Sequence, residues 1–343
     1  MSSAEAPRAI VVGLAGKTLS AGERALFAKA PPLGVILFAR NIETPEQVRA
    51  LVAEVRAALG RADAPVWIDQ EGGRVARLRP PHWPAYYPAR TIGLLDGGAA
   101  QRAAWLQARL IADDLRDLGI DVDCHPCVDI SVQGAHDVIG DRAFSADPGA
   151  VADLGRAACE GLLAGGVLPV IKHLPGHGRA LADSHVALPV VDAPLALLEA
   201  TDFVPFAALS DMPIAMTAHV VYTAIDAACP LTQSPDGIAD LVRGRLGFDG
   251  VLVSDDLNMQ ALTGTLAERA AAALDAGCDL ALHCSGRLDE MTDLLPAIPL
   301  LDGDALARWK IAASRRGPAL PFDRAAARAE LDTLVAAGGE GEA

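Results

Sequence analysis

Residues 167–185, VLPVIKHLPGHGRALADSH, begin as an apolar strand and end on three polar residues. Val167, Leu168, Val170 and Ile171 are aliphatic and partly β-branched, and Gly165 and Gly166 bound them upstream. Lys172 and His173 stand at the strand's end, followed by a loop with Pro175, Gly176 and Gly178 that closes on Asp183, Ser184 and His185. A buried strand that hands titratable residues to a glycine-rich loop is how α/β enzymes place chemistry at the carboxyl ends of strands. Residues i and i+2 of an extended segment point to the same side, so Asp183 can orient the His185 imidazole and raise its basicity.

Seven further runs of the same kind lie on either side. They are RAIVVGL (8–14), GVILFARN (34–41), APVWIDQ (64–70), Asp121 to Ile130, PIAMTAHVVY (213–222), GVLVSDDL (250–257) and DLALHCS (279–285). Helical segments separate them. Ser20 with Glu23 predicts a capping box, as do Thr44, Pro45 and Gln47 for a helix stopped at Gly60. Helices are also expected over about 99–118, from Asp147-Pro148, over about 195–209, from Ser234-Pro235 to about 246, over about 266–276, and from about 304 and 323. Strands buried on both faces read as continuous apolar runs, as a parallel sheet requires. Eight βα units without a linker or composition break predict an α/β chain folded as a single (β/α)8 TIM-type barrel over 1–343, with a short frayed tail at about 337–343. The first βα turn lacks a G-x-G-x-x-G fingerprint, which argues against a dinucleotide-binding sheet.

Composition narrows the partners. The 343 residues carry a formal charge of −15, which argues against nucleic acid and against an anionic membrane surface. The start, MSSAEAPRAIVVGL, does not read as a signal peptide, and no apolar run approaches membrane-spanning length. Six scattered cysteines fit reduced thiols and a cytoplasmic location. Cys124-His125-Pro126-Cys127 has the C-x-x-C form but no second ligand pair at zinc spacing, so core thiols are expected there.

The unusual polar residues gather at strand ends. Asp69, Glu71, Arg74 and Arg77 follow the third strand, and Asp129, Asp141 and Arg142 follow the fourth. Lys172, His173, His177, Asp183 and His185 follow the fifth, His219 the sixth, and Asp255 and Asp256 the seventh. In a barrel they all ring the C-terminal mouth. An attacking carboxylate with a second group that shuttles protons is the glycoside-hydrolysis arrangement. Asp255, behind Val251-Leu252-Val253, is rigidly placed for attack, while Asp69, Arg142 and Lys172 can hold sugar hydroxyls.

IDQEGGRVARL (68–78), IGDRAF (139–144), KHLPGHGRALADSH (172–185) and GVLVSDDLNM (250–259) together resemble glycoside hydrolase family 3, and within it the single-domain cytoplasmic β-N-acetylglucosaminidases of peptidoglycan recycling. Leu174 replaces the phenylalanine usual in that pattern. The resemblance implies a retaining exo-β-N-acetylglucosaminidase with Asp255 as nucleophile, His185 as general acid/base and Asp183 as its orienting partner. It implies sugar binding by Asp69, Arg77, Arg142, Lys172 and His173, no cofactor and no metal. The DSH element marks the N-acetylglucosaminidase branch of the family. The partner expected is an N-acetylglucosamine-containing oligosaccharide or muropeptide, met by a monomer. The loop glycines further predict that His185 swings in when substrate binds. Competing readings are another family 3 specificity, a sugar-binding protein without catalysis, and a metal-dependent barrel hydrolase with His173, His177, His185 and Asp255 as ligands.

Overall fold

The computed structural model describes residues 6–182, 184 and 187–339. Eight parallel strands close into a barrel: β1 (Arg8–Gly13), β2 (Pro32–Leu37), β3 (Val66–Ile68), β4 (Val122–Asp123), β5 (Leu168–Leu174), β6 (Ile214–Thr217), β7 (Val251–Asp256) and β8 (Leu280–His283). Each pairs with its sequence neighbours, and β8 pairs with β1 through Ile10–Ala281 to Val12–His283. The strands are almost wholly buried because helices cover the outside. On that outer layer Trp67 of β3 stacks on Trp309 of the helix Gly303–Ser314, centroids 6.3 Å apart.

Local signals account for several helix ends. Ser20 and Glu23 make the reciprocal capping box before the helix Ala21–Lys29. Thr44 accepts from Gln47 N before the helix Pro45–Leu59, but the Gln47 side chain accepts from Glu43 N, so that box is only half formed. Gly60 and Gly119 stop their helices in the left-handed conformation, at φ 62° and 79°. The last helix, Arg324–Gly339, runs through the stretch expected to fray, up to the last described residue.

Four expectations are corrected. The fourth strand, expected over 121–130, pairs as a ladder only at Val122–Asp123. It nevertheless stays beside β5, with Lys172 N donating to Pro126 O (3.2 Å) and Val128 N to Lys172 O (2.8 Å). Proline at 126 has no N–H for the ladder, yet the run still carries Asp129 to the end of β5. The sixth strand leaves the barrel after Thr217, and Val221–Tyr222 pairs instead with Val190–Val191 outside it. The helix expected over 195–209 is two pieces, Leu195–Ala200 and Val204–Ala208, broken at Thr201-Asp202 ahead of Pro205, which has no N–H to continue the first. Gly237–Arg245 is π-helical, and the helices Ala89–Gly93 and Leu288–Ala297 were not expected. All six cysteines are free, with Cys124 and Cys127 buried as core thiols.

Candidate active site

A cavity of about 200 Å³ opens at the carboxyl ends of the strands. Asp69, Arg77, Arg142, Lys172, His173 and Asp255 all line it, so six of the eight residues singled out from sequence meet in one place. The other two, Asp183 and His185, lie outside the described residues, and so does the predicted movement of His185.

The β3–β5 side of the cavity is a chain of alternating charge. Arg77 Nη2 meets Asp69 Oδ2 at 3.2 Å, and Lys172 Nζ meets Asp69 Oδ1 at 2.8 Å and Glu71 Oε1 at 2.6 Å. Arg142 grips Glu71 with Nη2 and Nε at 2.8 and 3.0 Å, a bidentate fork. Burial would push the Asp69 and Glu71 carboxyls up, but Lys172 with Arg77, and Arg142 with Lys172, outweigh it and hold both below the ordinary range, Glu71 far below. Burial opposes the Lys172 charge in turn, and Asp69 and Glu71 restore it, so the ammonium stays protonated. The Gln70 side chain fixes the intervening loop. Its Oε1 accepts from Arg77 N (2.7 Å) and Leu78 N (3.0 Å), and its Nε2 donates to Leu78 O (3.1 Å). Gly72, at φ 104°, lies so close to the next segment that a Cβ there would sit 2.4 Å from Tyr87 O.

Asp129 organises the start of the next loop. Its Oδ1 accepts from His177 N at 2.6 Å, and its Oδ2 stands 2.7 Å from His173 Nδ1. Burial alone would raise this carboxyl, yet His173, His177 and the backbone N–H donor lower its pKa to about 2. Gly178 follows, where a Cβ would meet Ile130 O at 2.0 Å. Arg179 then ties the loop to Asp202 (2.8 Å), the residue at the break between the two short helices.

The opposite side is sparser. Among the described residues Asp255, almost wholly buried, accepts one hydrogen bond, from Asp256 N at 2.8 Å. Burial lowers the pKa of His177, and His173 is tied to Asp129 through Nδ1. Three mouth residues turn out structural. His219 is fully buried between Thr232 Oγ1 (2.8 Å) and Asp256 O (3.1 Å), and Arg74 pairs with Asp141 at the exposed rim. Glu71 and Asp129 were placed at the mouth without a role, although the Asp69-x-Glu71 alternation could have signalled the first of them.

Among the described residues the metal set read from sequence does not assemble. The cluster that does form is Cys127, Asp129 and His173, with ligand atoms within 4.8 Å of one another. One carboxylate oxygen already receives both the Cys127 thiol (3.3 Å) and His173 Nδ1 (2.7 Å), and burial pushes the thiol far up. These are the partners of a hydrogen-bonded group, and a thiolate ligand is disfavoured.

The model of the glycosyl hydrolase family 3 N terminal domain matches residues 13–313. A β-hexosaminidase of Alkalilimnicola ehrlichii is 41% identical over 282 residues, covering 80% of each chain. One of Chromobacterium violaceum is 42% identical over 283 residues, covering 80% of this chain and 78% of that one. NagZ from Neisseria gonorrhoeae, solved in complex with N-trifluoroacetyl-D-glucosamine, superimposes with a TM-score of 0.85 at 33% identity, over 96% of this chain and 98% of that one.

Proposed function

The chain belongs to glycosyl hydrolase family 3, and from that premise we propose that it is a β-N-acetylhexosaminidase, a retaining exo-enzyme that removes terminal β-linked N-acetylglucosamine. The observation that supports this best is the gathering of Asp69, Arg77, Arg142, Lys172 and His173 around Asp255 in one cavity. Cations with fixed N–H donors and a carboxylate that accepts are what a polyhydroxylated ring needs for orientation.

In the proposed mechanism Asp255 attacks the anomeric carbon while His185, oriented by Asp183, protonates the departing oxygen. The resulting glycosyl ester is then hydrolysed by a water that His185 deprotonates, and Asp255 is released. Asp255 accepts a single described hydrogen bond, from Asp256 N, which leaves lone pairs for attack. His173 is tied to Asp129, and burial lowers the pKa of His177, which fits an acid/base supplied from elsewhere. The DSH element and the likeness to NagZ over nearly the whole chain support muropeptides, N-acetylglucosaminyl-1,6-anhydro-N-acetylmuramic acid with or without peptide, as substrates. Six free cysteines, and no described helix long and apolar enough to cross a membrane, support work in the cytoplasm.

The test is steady-state hydrolysis of 4-nitrophenyl N-acetyl-β-D-glucosaminide beside the matching β-D-glucoside, with EDTA present. Turnover of the acetamido sugar alone is expected. Preference for the glucoside would remove His185 from its role, and loss of activity in chelator would restore the metal reading.

A further inference from the structure

His173 presents an unusual combination: a ring pinned at one nitrogen and pressed by a cation at the other. Nδ1 lies 2.7 Å from Asp129 Oδ2, inside a carboxylate that is fully buried. Nε2 lies 3.5 Å from Arg142 Nη2, in the wall of the cavity. A guanidinium carries only N–H donors and never accepts, so a proton on Nε2 would face another proton. A carboxylate accepts, so a proton on Nδ1 is welcome there. Both ends of the ring therefore select one neutral form.

We propose that Asp129 is a positioning residue that holds His173 as the Nδ1–H tautomer, so that the Nε2 lone pair, which Arg142 Nη2 approaches only to 3.5 Å, accepts from a hydroxyl of the bound sugar in place of that long contact. The role in sugar binding rests on the function proposed above, whereas the tautomer rests on the geometry alone. Lys172, the preceding residue, lines the same cavity and can only donate. The two neighbours thus read opposite properties of the ligand: Lys172 meets a hydroxyl oxygen and His173 a hydroxyl hydrogen. A ligand group that accepts but cannot donate, such as an ether or a fluorine, would satisfy Lys172 and fail at His173.

Asp129 has further partners, which makes the choice of variant matter. Oδ1 accepts from His177 N (2.6 Å) and His173 N (3.2 Å), and Oδ2 from the Cys127 thiol (3.3 Å) and, as the second arm of a shared bond, from His173 N (3.3 Å). Asp129→Asn can keep Oδ1 with its bonds from His177 N and His173 N, and loses the second arm from His173 N to Oδ2. It replaces Oδ2 by an amide nitrogen, which donates to His173 Nδ1 and moves the imidazole proton to Nε2. The thiol sulfur can accept weakly from the same amide.

The first measurement is the ¹⁵N spectrum of ring-labelled His173, assigned by its loss in His173→Ala, at a pH where the imidazole is neutral. In the unaltered protein Nδ1 is expected to resonate as a protonated nitrogen and Nε2 as an unprotonated one, and Asp129→Asn is expected to exchange them. A protonated Nε2 in the unaltered protein overturns the proposal, whether or not the variant folds. The second measurement is a double-mutant cycle on kcat/KM with 4-nitrophenyl N-acetyl-β-D-glucosaminide. Asp129→Asn should lose about 10- to 100-fold, the range for removing the partner that orients a functional imidazole, and less than about threefold when His173 is already alanine. Equal losses in both backgrounds would show a structural role and overturn the positioning one. An unaltered protein with the expected spectrum but no turnover would support the tautomer and sink the hexosaminidase reading instead.

Discussion

The two sides of the cavity are built on opposite principles. From β3 to β5 three cations and three carboxylates interlock: Arg77, Lys172 and Arg142 with Asp69, Glu71 and, through His173, Asp129. At the end of β7, Asp255 accepts one described hydrogen bond from its own neighbour. The first side is fixed before any ligand arrives, because each cation is held by a carboxylate behind or beside it. The second side leaves a carboxylate with lone pairs to use. A group that must orient a sugar gains from being immobile, whereas a group that must form a bond gains from being unoccupied.

The sharpest way to break this contrast is to remove the sparse side. Asp255→Asn is expected to lower kcat by roughly 10⁴-fold or more, as removal of a covalent nucleophile does. Its thermal midpoint should move by no more than about 3 °C, because the one acceptor role toward Asp256 N survives in asparagine. Retained turnover would end the nucleophile assignment. A large loss of stability would show that β7 is as interlocked as the other side.

Glu71→Gln tests the interlocked side and should act on both stability and activity. It leaves Lys172 and Arg142 short of a counter-charge in a buried place, a change that costs about 3 kcal/mol. The expected kcat/KM falls at least tenfold, with KM carrying much of the change, because Arg142 and Lys172 lose their anchor rather than their charge. The pH dependence has a definite sign. Glu71 is held well below its ordinary value, and Asp129 at about 2, while an unfolded carboxyl titrates near 4. Both therefore contribute stability that is present above about pH 4 and is lost progressively as pH falls below it. Glu71→Gln should be less stable at neutrality and lose less on acidification than the unaltered protein. Denaturant melts at pH 7 and pH 3.5 check this, and parallel losses in the two proteins would refute the coupling.

How legible all this is in the sequence follows from the range of each signal. The barrel is readable because eight apolar runs and their caps are local patterns, and the mouth is readable because a strand's end is where its apolar run stops. Strand pairing is less so: Asp121 to Ile130 reads as one strand, yet only Val122–Asp123 pairs as a ladder, since pairing depends on what β5 offers. The cavity-lining members of the site carry motif signals. Of their supports, Glu71 sits inside a motif, IDQEGGRVARL, and Asp129 does not. Asp129 matters through His173, 44 residues away, and no spacing reports that distance. His219 shows the converse error, a histidine at a strand end that folds inward onto Thr232.

The smallest expected effect concerns the loop that leaves the interlocked side toward Asp183 and His185. Several fasteners hold its first part: His177 N on Asp129 (2.6 Å), Ala180 O on His136 N (3.0 Å), the close approach of Gly178 to Ile130 O, and Arg179 on Asp202 and Thr201 (2.8 and 3.0 Å). Ser184 O accepts from Ala261 N (3.1 Å) farther along. Of these, the Arg179 pair alone is a salt bridge, and Arg179 does not line the cavity. Arg179→Gln should therefore loosen the loop without disturbing the charge chain. Amide exchange at Gly176, His177 and Ala180 is expected to speed up about 5- to 30-fold, the equivalent of about 1–2 kcal/mol of local opening. The loss in kcat/KM should be smaller than that of Glu71→Gln. A collapse of turnover with unchanged exchange would place Arg179 on the substrate itself and extend the interlocked side into the loop. Faster exchange with nearly full turnover would set the boundary between the two modes of construction at Asp129, where the charge chain that lines the cavity ends.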